Sequence, residues 1–102
     1  MAGKRGDGFI GKYCLVRGPA GVYAGTLESQ EGGEVVMTGA FCLWKWSGAA
    51  TLLDVAEKGV GNASDCRFSI VVDRMKVMEV FQILPCSRAA EKNLSGVKKW
   101  SI

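Results

Sequence analysis

Residues 34–46 read Glu34-Val35-Val36-Met37-Thr38-Gly39-Ala40-Phe41-Cys42-Leu43-Trp44-Lys45-Trp46. β-Branched, aromatic and other apolar side chains dominate the stretch, and it holds no proline. It reads as one long strand, or as two with a bend at Gly39-Ala40, where a missing side chain weakens the pleat. Just upstream, Glu31-Gly32-Gly33-Glu34 has the make-up of a hairpin turn, because glycine readily takes positive φ. The hairpin implies an antiparallel neighbour over Gly21 to Ser29, with Val22, Tyr23, Thr26 and Leu27. Before that, Gly18-Pro19 closes a further β-rich run from Phe9 to Arg17.

Downstream of Trp46 the pattern changes period. Leu52, Val55 and Ala56 fall at helical spacing, and Gly59 or Gly61 is placed to end that helix. Asn62 to Asp65 is polar loop. Cys66 to Val72 reads as a strand, and Met75 to Leu84 as another whose alternation slips between Val77 and Met78. Ser87 to Leu94 has the form of a short helix with Ser87 as N-cap and Gly96 beyond its end. Val97 to Ile102 reads as a solvated tail with Trp100 docked on an apolar surface. The expected fold is α+β and mainly β: a small antiparallel barrel or curved sheet carrying one or two short helices.

At 102 residues the chain fits a single domain, read as residues 9–102 behind a flexible, basic, Gly-rich arm at residues 1–8. Hydrophobic residues make up 48%, enough for a core, and 14 glycines against 2 prolines suit short strands joined by tight turns. No apolar run approaches the roughly 18 residues of a membrane helix, and no secretion signal opens the chain. A cytoplasmic protein is expected. The four cysteines, Cys14, Cys42, Cys66 and Cys86, sit in or beside apolar runs and read as small core hydrophobes. With no Cys-x-x-Cys pair and no histidine, no zinc site is expected.

Histidine's absence removes the commonest general base and the ordinary serine or cysteine triad. No phosphate loop of the Gly-x-x-x-x-Gly-Lys type and no dinucleotide fingerprint occurs. These absences favour a binding protein over an enzyme, without a cofactor or a metal. A net charge of +3 is too mild for a dedicated binder of polymeric nucleic acid but suits a small anion.

The most informative constellation is Leu43-Trp44-Lys45-Trp46-Ser47-Gly48-Ala49-Ala50. On a regular strand Trp44 and Trp46 share one face and Lys45 takes the other. Two indoles side by side serve as a core cover or as a platform for a planar ring. Ser47 is a good N-cap, and Gly48 and Ala49 leave backbone N–H groups open to a phosphate. Base on indole and phosphate on amides would accommodate a nucleotide. Arg17, at a strand end before the turn, and Tyr23, after it, are candidates for the rim of such a site.

Several segments resemble a family of small proteins encoded by phages and prophages: Gly11 to Arg17, Ala20 to Leu27, Trp44 to Ala50, Gly59-Val60, Ile83-Leu84-Pro85-Cys86, and Gly96-Val97 before Trp100. The resemblance spans the chain apart from the N-terminal arm, and its most specific part is the tryptophan-serine-glycine-alanine core. This chain departs from the family pattern before the tryptophans, reading Ala40-Phe41-Cys42 where the family often carries alanine followed by two arginines. Lys45 would then stand in for a lost cation. By analogy with other small phage proteins, the resemblance implies an immune-evasion protein in the cytoplasm of an infected bacterial host. Such a protein sequesters a cyclic di- or trinucleotide defence signal without cleaving it, as a homo-oligomer. The alternatives are a protein-binding inhibitor of a host enzyme or effector, and a phage assembly component.

Overall fold

The computed structural model describes residues 8–100, without the side chain of Trp100. The arm expected at residues 1–8 lies outside the described residues except for Gly8, as does the docking of the Trp100 indole. The elements are β1 (Tyr13–Gly18), β2 (Gly21–Glu31), β3 (Glu34–Lys45), α1 (Leu52–Lys58), β4 (Arg67–Ser69), β5 (Val72–Val77), β6 (Gln82–Pro85), α2 (Arg88–Ser95) and β7 (Lys99–Trp100). The expected class is correct: a curved antiparallel sheet with two short helices, open rather than closed into a barrel.

In the sheet β6, β1, β2 and β3 lie side by side, each antiparallel to the next. Strand β3 then forks. Its first half, Val35 to Ala40, pairs with β5, and its end, Leu43 and Lys45, pairs with β4. Two-residue β7 continues from β4 in parallel.

The bend expected at Gly39-Ala40 is a β-bulge. Between the pairs Thr26↔Thr38 and Ala24↔Phe41, β3 advances three residues while β2 advances two. Gly39 takes φ +56°, the left-handed region that glycine enters freely. Opposite it, a Cβ on Gly25 would stand 2.9 Å from Ala40 Cα and from the Thr38 carbonyl oxygen, so only glycine lets the strands approach this closely.

The extra residue switches which side of the sheet each side chain reaches. Before it, Val35 and Met37 join Cys14, Val16, Leu27 and Val77 in one buried cluster. After it, Phe41 and Leu43 point the other way and pack with Leu15, Val55, Phe68 and Leu94 beneath the helices. Phe41 and Phe68 stack with ring centroids 5.4 Å apart. Burying one such side chain is worth about 1.5–3 kcal/mol.

Helix α1 buries Leu52, Val55 and Ala56, the residues that the helical spacing picks out, and ends at Gly59. Helix α2 is capped by Ser87, whose hydroxyl accepts from the Ala90 amide, and ends at Gly96. The Ser87 hydroxyl also donates to the Glu57 carbonyl, which ties the two helices together. Asn93 links them a second time: its amide group exchanges bonds of 2.8 and 3.0 Å with the Val60 backbone.

Four boundaries differ from expectation. Phe9 to Lys12 is a turn, closed by Lys12 N–H donating to the Phe9 carbonyl, and not the start of β1. The run Cys66 to Val72 breaks at Ile70-Val71, where the chain crosses from one branch of the fork to the other. The run Met75 to Leu84 is two strands. Strand β5 ends at Val77, and the link to β6 contains Glu79 at φ +57°. The described part of the tail is held at Lys99 rather than free in solvent. Lys99 Nζ donates to the carbonyls of Leu94, Ser95 and Val97, and lies 4.4 Å from the Phe41 ring centroid. The cation thus caps the C-terminal carbonyls of α2 over an aromatic face, and burial depresses its pKa.

Candidate functional site

The stretch Trp44 to Ala50 leaves the sheet and leads into α1. At Lys45 a second irregularity appears: Leu43 pairs with Phe68 and Lys45 with Arg67, so β3 carries one residue more than β4. Alternation lapses at this point. In consequence Trp44 and Trp46 do not share a face. The Trp44 side chain is 57% exposed, whereas Trp46, beyond the strand end, is half-buried against the helix-side core. Lys45 is exposed. The paired indole platform is therefore corrected to one exposed indole and one packing indole.

Ser47 is not the N-cap. That role belongs to Thr51, whose hydroxyl accepts from the Asp54 amide while the Asp54 carboxylate accepts from the Thr51 amide at 3.1 Å. This reciprocal capping box, with its carboxylate already in place, fills the start of α1. The phosphate expected at the helix N-terminus finds that position occupied.

What remains open is the loop before it. Among the described residues, the amides of Ser47, Gly48, Ala49 and Ala50 have no protein acceptor. The loop is held in shape from below. Gly61 N–H donates to the Gly48 carbonyl at 3.2 Å, and the Cys66 thiol contacts the Ser47 carbonyl at 3.9 Å. Gly48 has φ +84°, and a Cβ there would lie 2.5 Å from the amide nitrogens of Gly61 and Asn62. Glycine is therefore required at this position on two independent grounds. Successive amides without a protein acceptor are donors of the type that an anion takes.

Arg17 and Tyr23 are not brought to this loop. Exposed Arg17 lies 5.6 Å from the Phe81 ring centroid, at the edge where β1 meets β6. Tyr23 pairs with Cys42 across β2 and β3 and lines two adjoining grooves, neither of which contains any of residues 44–49. One groove, about 310 Å³, is bordered by Tyr23, Cys42, Ser69, Ile70, Val72 and Met75. Sequence reasoning missed it because Ile70-Val71-Val72 reads as the continuation of one strand from Cys66. Only the fork turns these residues outward.

The cysteines are free thiols, with Cys14 and Cys66 buried and Cys42 and Cys86 half-buried. Burial pushes the Cys14 thiol up to about 11 and the Cys86 thiol to about 12, and raises Cys42 as well. None of these three is an activated nucleophile. Among the described residues no group of His, Cys, Asp or Glu side chains is placed to hold a metal ion. No helix among them is long and apolar enough to cross a membrane.

Fold and site together define a class: an open, bulged antiparallel sheet with a helix pair on one face and an exposed aromatic beside a loop of small residues. Residues 11–94 match the family described as Domain of unknown function (DUF6948), and the chain belongs to that family. No curated protein and no solved structure matches it.

Proposed function

We propose that this chain is a phage-encoded immune-evasion protein that binds a cyclic di- or trinucleotide defence signal, or a related nucleotide, and holds it without cleavage. The observation that supports the reading is the placement of the exposed Trp44 indole just before a loop whose amides at Ser47 to Ala50 are unoccupied. A base stacks on the indole, and a phosphate takes the amides, with Lys45 supplying the cation. Base–aromatic stacking of this type contributes about 1–3 kcal/mol per base. Trp46 acts indirectly, packing on the core and setting the loop's height above it. The protein works as a homo-oligomer in the cytoplasm of the infected cell.

The test is capture and release. The purified protein is incubated with a panel of cyclic nucleotides, freed of unbound ligand and denatured. Recovery of an intact nucleotide in stoichiometric amount supports the reading. Recovery of a cleaved product, or of nothing at micromolar protein, contradicts it.

A second reading, an inhibitor that binds a host protein, is favoured by the exposed apolar run Ile70 to Val72. It predicts a specific host protein in a pull-down and no nucleotide in the released fraction.

A further inference from the structure

Lys45 is one end of a row of cations. It pairs with Arg67 where β3 meets β4. Strand β7 lies parallel to β4 with Lys99 beside Phe68, so one step back along both strands sets Lys98 beside Arg67. The three side chains leave the sheet on one side. Cys66 and Phe68, which flank Arg67, are buried in the helix-side cluster, and so is Val97, before Lys98. Lys99, after Lys98, lies over the Phe41 and Phe68 rings. Trp46, after Lys45, packs on the same cluster. Alternation therefore turns Lys45, Arg67 and Lys98 to the side away from the helices. With neighbouring strands about 4.8 Å apart, the row spans roughly 10 Å.

The segments that carry this row hold no acidic side chain. Residues 35–53, 66–72 and 92–102 contain no Asp or Glu. Asp65, the acid nearest to Arg67 in sequence, accepts from the Asn62 side-chain amide at 3.0 Å. Arg67 Nη1 donates to the carbonyls of Ser64 and Cys66 at 3.2 and 2.9 Å, which limits the swing of the guanidinium. Like charges on adjacent strands disfavour the sheet, and an anion laid across them offsets that cost. At the edge of the row stands Trp44, the extra residue between the pairs Leu43↔Phe68 and Lys45↔Arg67, with its indole exposed. The loop after it lies toward the helices: Ala49 packs on the helix-side cluster, and the Ser47 carbonyl meets the Cys66 thiol.

We infer that Arg67 and Lys98, with Lys45, hold a second phosphate of the ligand, so that the site takes cyclic nucleotides with two or more phosphates and discriminates against those with one. This step rests on the nucleotide reading of the Trp44 site and deepens it. Anion donors stand on both sides of the exposed indole, the amides of Ser47 to Ala50 toward the helices and the cations away from them. A base on Trp44 then has a phosphate on either side, as a cyclic di- or trinucleotide supplies. A cyclic mononucleotide fills only one of the two positions.

The test is calorimetric titration of the full chain with cyclic di-AMP, cyclic di-GMP and cyclic tri-AMP, and with cyclic AMP as the single-phosphate comparison. Arg67→Gln and Lys98→Gln should each weaken the tightest of the first three by about 10-fold, the scale of one charge-assisted contact, with unchanged circular dichroism. Lys92→Gln, the same loss of charge on the exposed side of α2, should change nothing. Cyclic AMP should bind the wild type at least about 10-fold more weakly than that ligand. A ligand lost with Trp44→Ala but held by Arg67→Gln and Lys98→Gln as by the wild type overturns the inference and leaves the Trp44 reading in place. Equal affinity for cyclic AMP overturns it as well, and absence of binding to all four overturns both. If Arg67→Gln fails to fold, Lys98→Gln decides by the same outcomes.

Discussion

The two halves of β3 have similar composition and opposite fates. Val35, Met37 and Ala40 face the side of the sheet away from the helices, where the sheet's own curl and β5 cover them. Phe41 and Leu43 face the helices and the Phe68 ring. One extra residue at Gly39-Ala40 separates the two arrangements. A single strand can thus serve two cores if its period is broken once, and the break frees its far edge to change partners. The fork, the outward Ile70–Val72 segment and the split of the two tryptophans all follow from such breaks.

Phe68→Ala removes a fully buried ring from the second half and should lower unfolding stability by about 3–5 kcal/mol, read by urea denaturation. A loss under about 1 kcal/mol would mean that the helices do not press on this half. The fork itself comes next. Ser69→Ala leaves the Cys42 amide without its acceptor and should cost about 1–3 kcal/mol. The Cys42 amide should then exchange with solvent deuterium faster than those of Val35 to Met37. Equal exchange in both halves would show that the two ladders are not joined through this hydroxyl.

The smallest effect is a slope with pH. Cys14, in the cluster away from the helices, and Cys86, beside the helix-side cluster, have folded pKa values raised to about 11 and 12, chiefly by burial. A raised folded value means that the unfolded chain ionises first. The stabilisation is whole below the unfolded thiol value of about 8.5 and is lost as pH rises toward the folded values. The urea midpoint should therefore fall between pH 8 and 10.5, and Cys14→Ala should flatten part of that fall. A midpoint that stays level or rises over this range would place the thiols in contact with water.

Much of the fold was legible because local chemistry and tertiary packing agree. Leu52, Val55 and Ala56 predict the buried side of α1, Ser87 predicts the cap of α2, and the Gly32-Gly33 turn predicts the hairpin. The misreadings within the sheet share one cause. Strand periodicity cannot register an inserted residue, so it puts Trp44 and Trp46 on one face, and Ile70 to Val72 inside a strand. Ser47 has the residue type of an N-cap but not the partner three residues on. Thr51 with Asp54 three residues on is the fuller capping-box signature, and it lay in the sequence. Arg17 and Tyr23 flank the Gly18-Pro19 turn, as their positions in the sequence imply, but the strand order sets that turn apart from the tryptophans.

The central claim is that the exposed end of β3 and the loop after it take a nucleotide. Calorimetric titration of the wild type and of Trp44→Ala with a panel of cyclic di- and trinucleotides tests it most directly. The expected result is micromolar or tighter affinity for at least one ligand, weakened roughly 5- to 150-fold by Trp44→Ala, the equivalent of about 1–3 kcal/mol of stacking. Absence of heat with every ligand, or equal affinity in the two proteins, would contradict it.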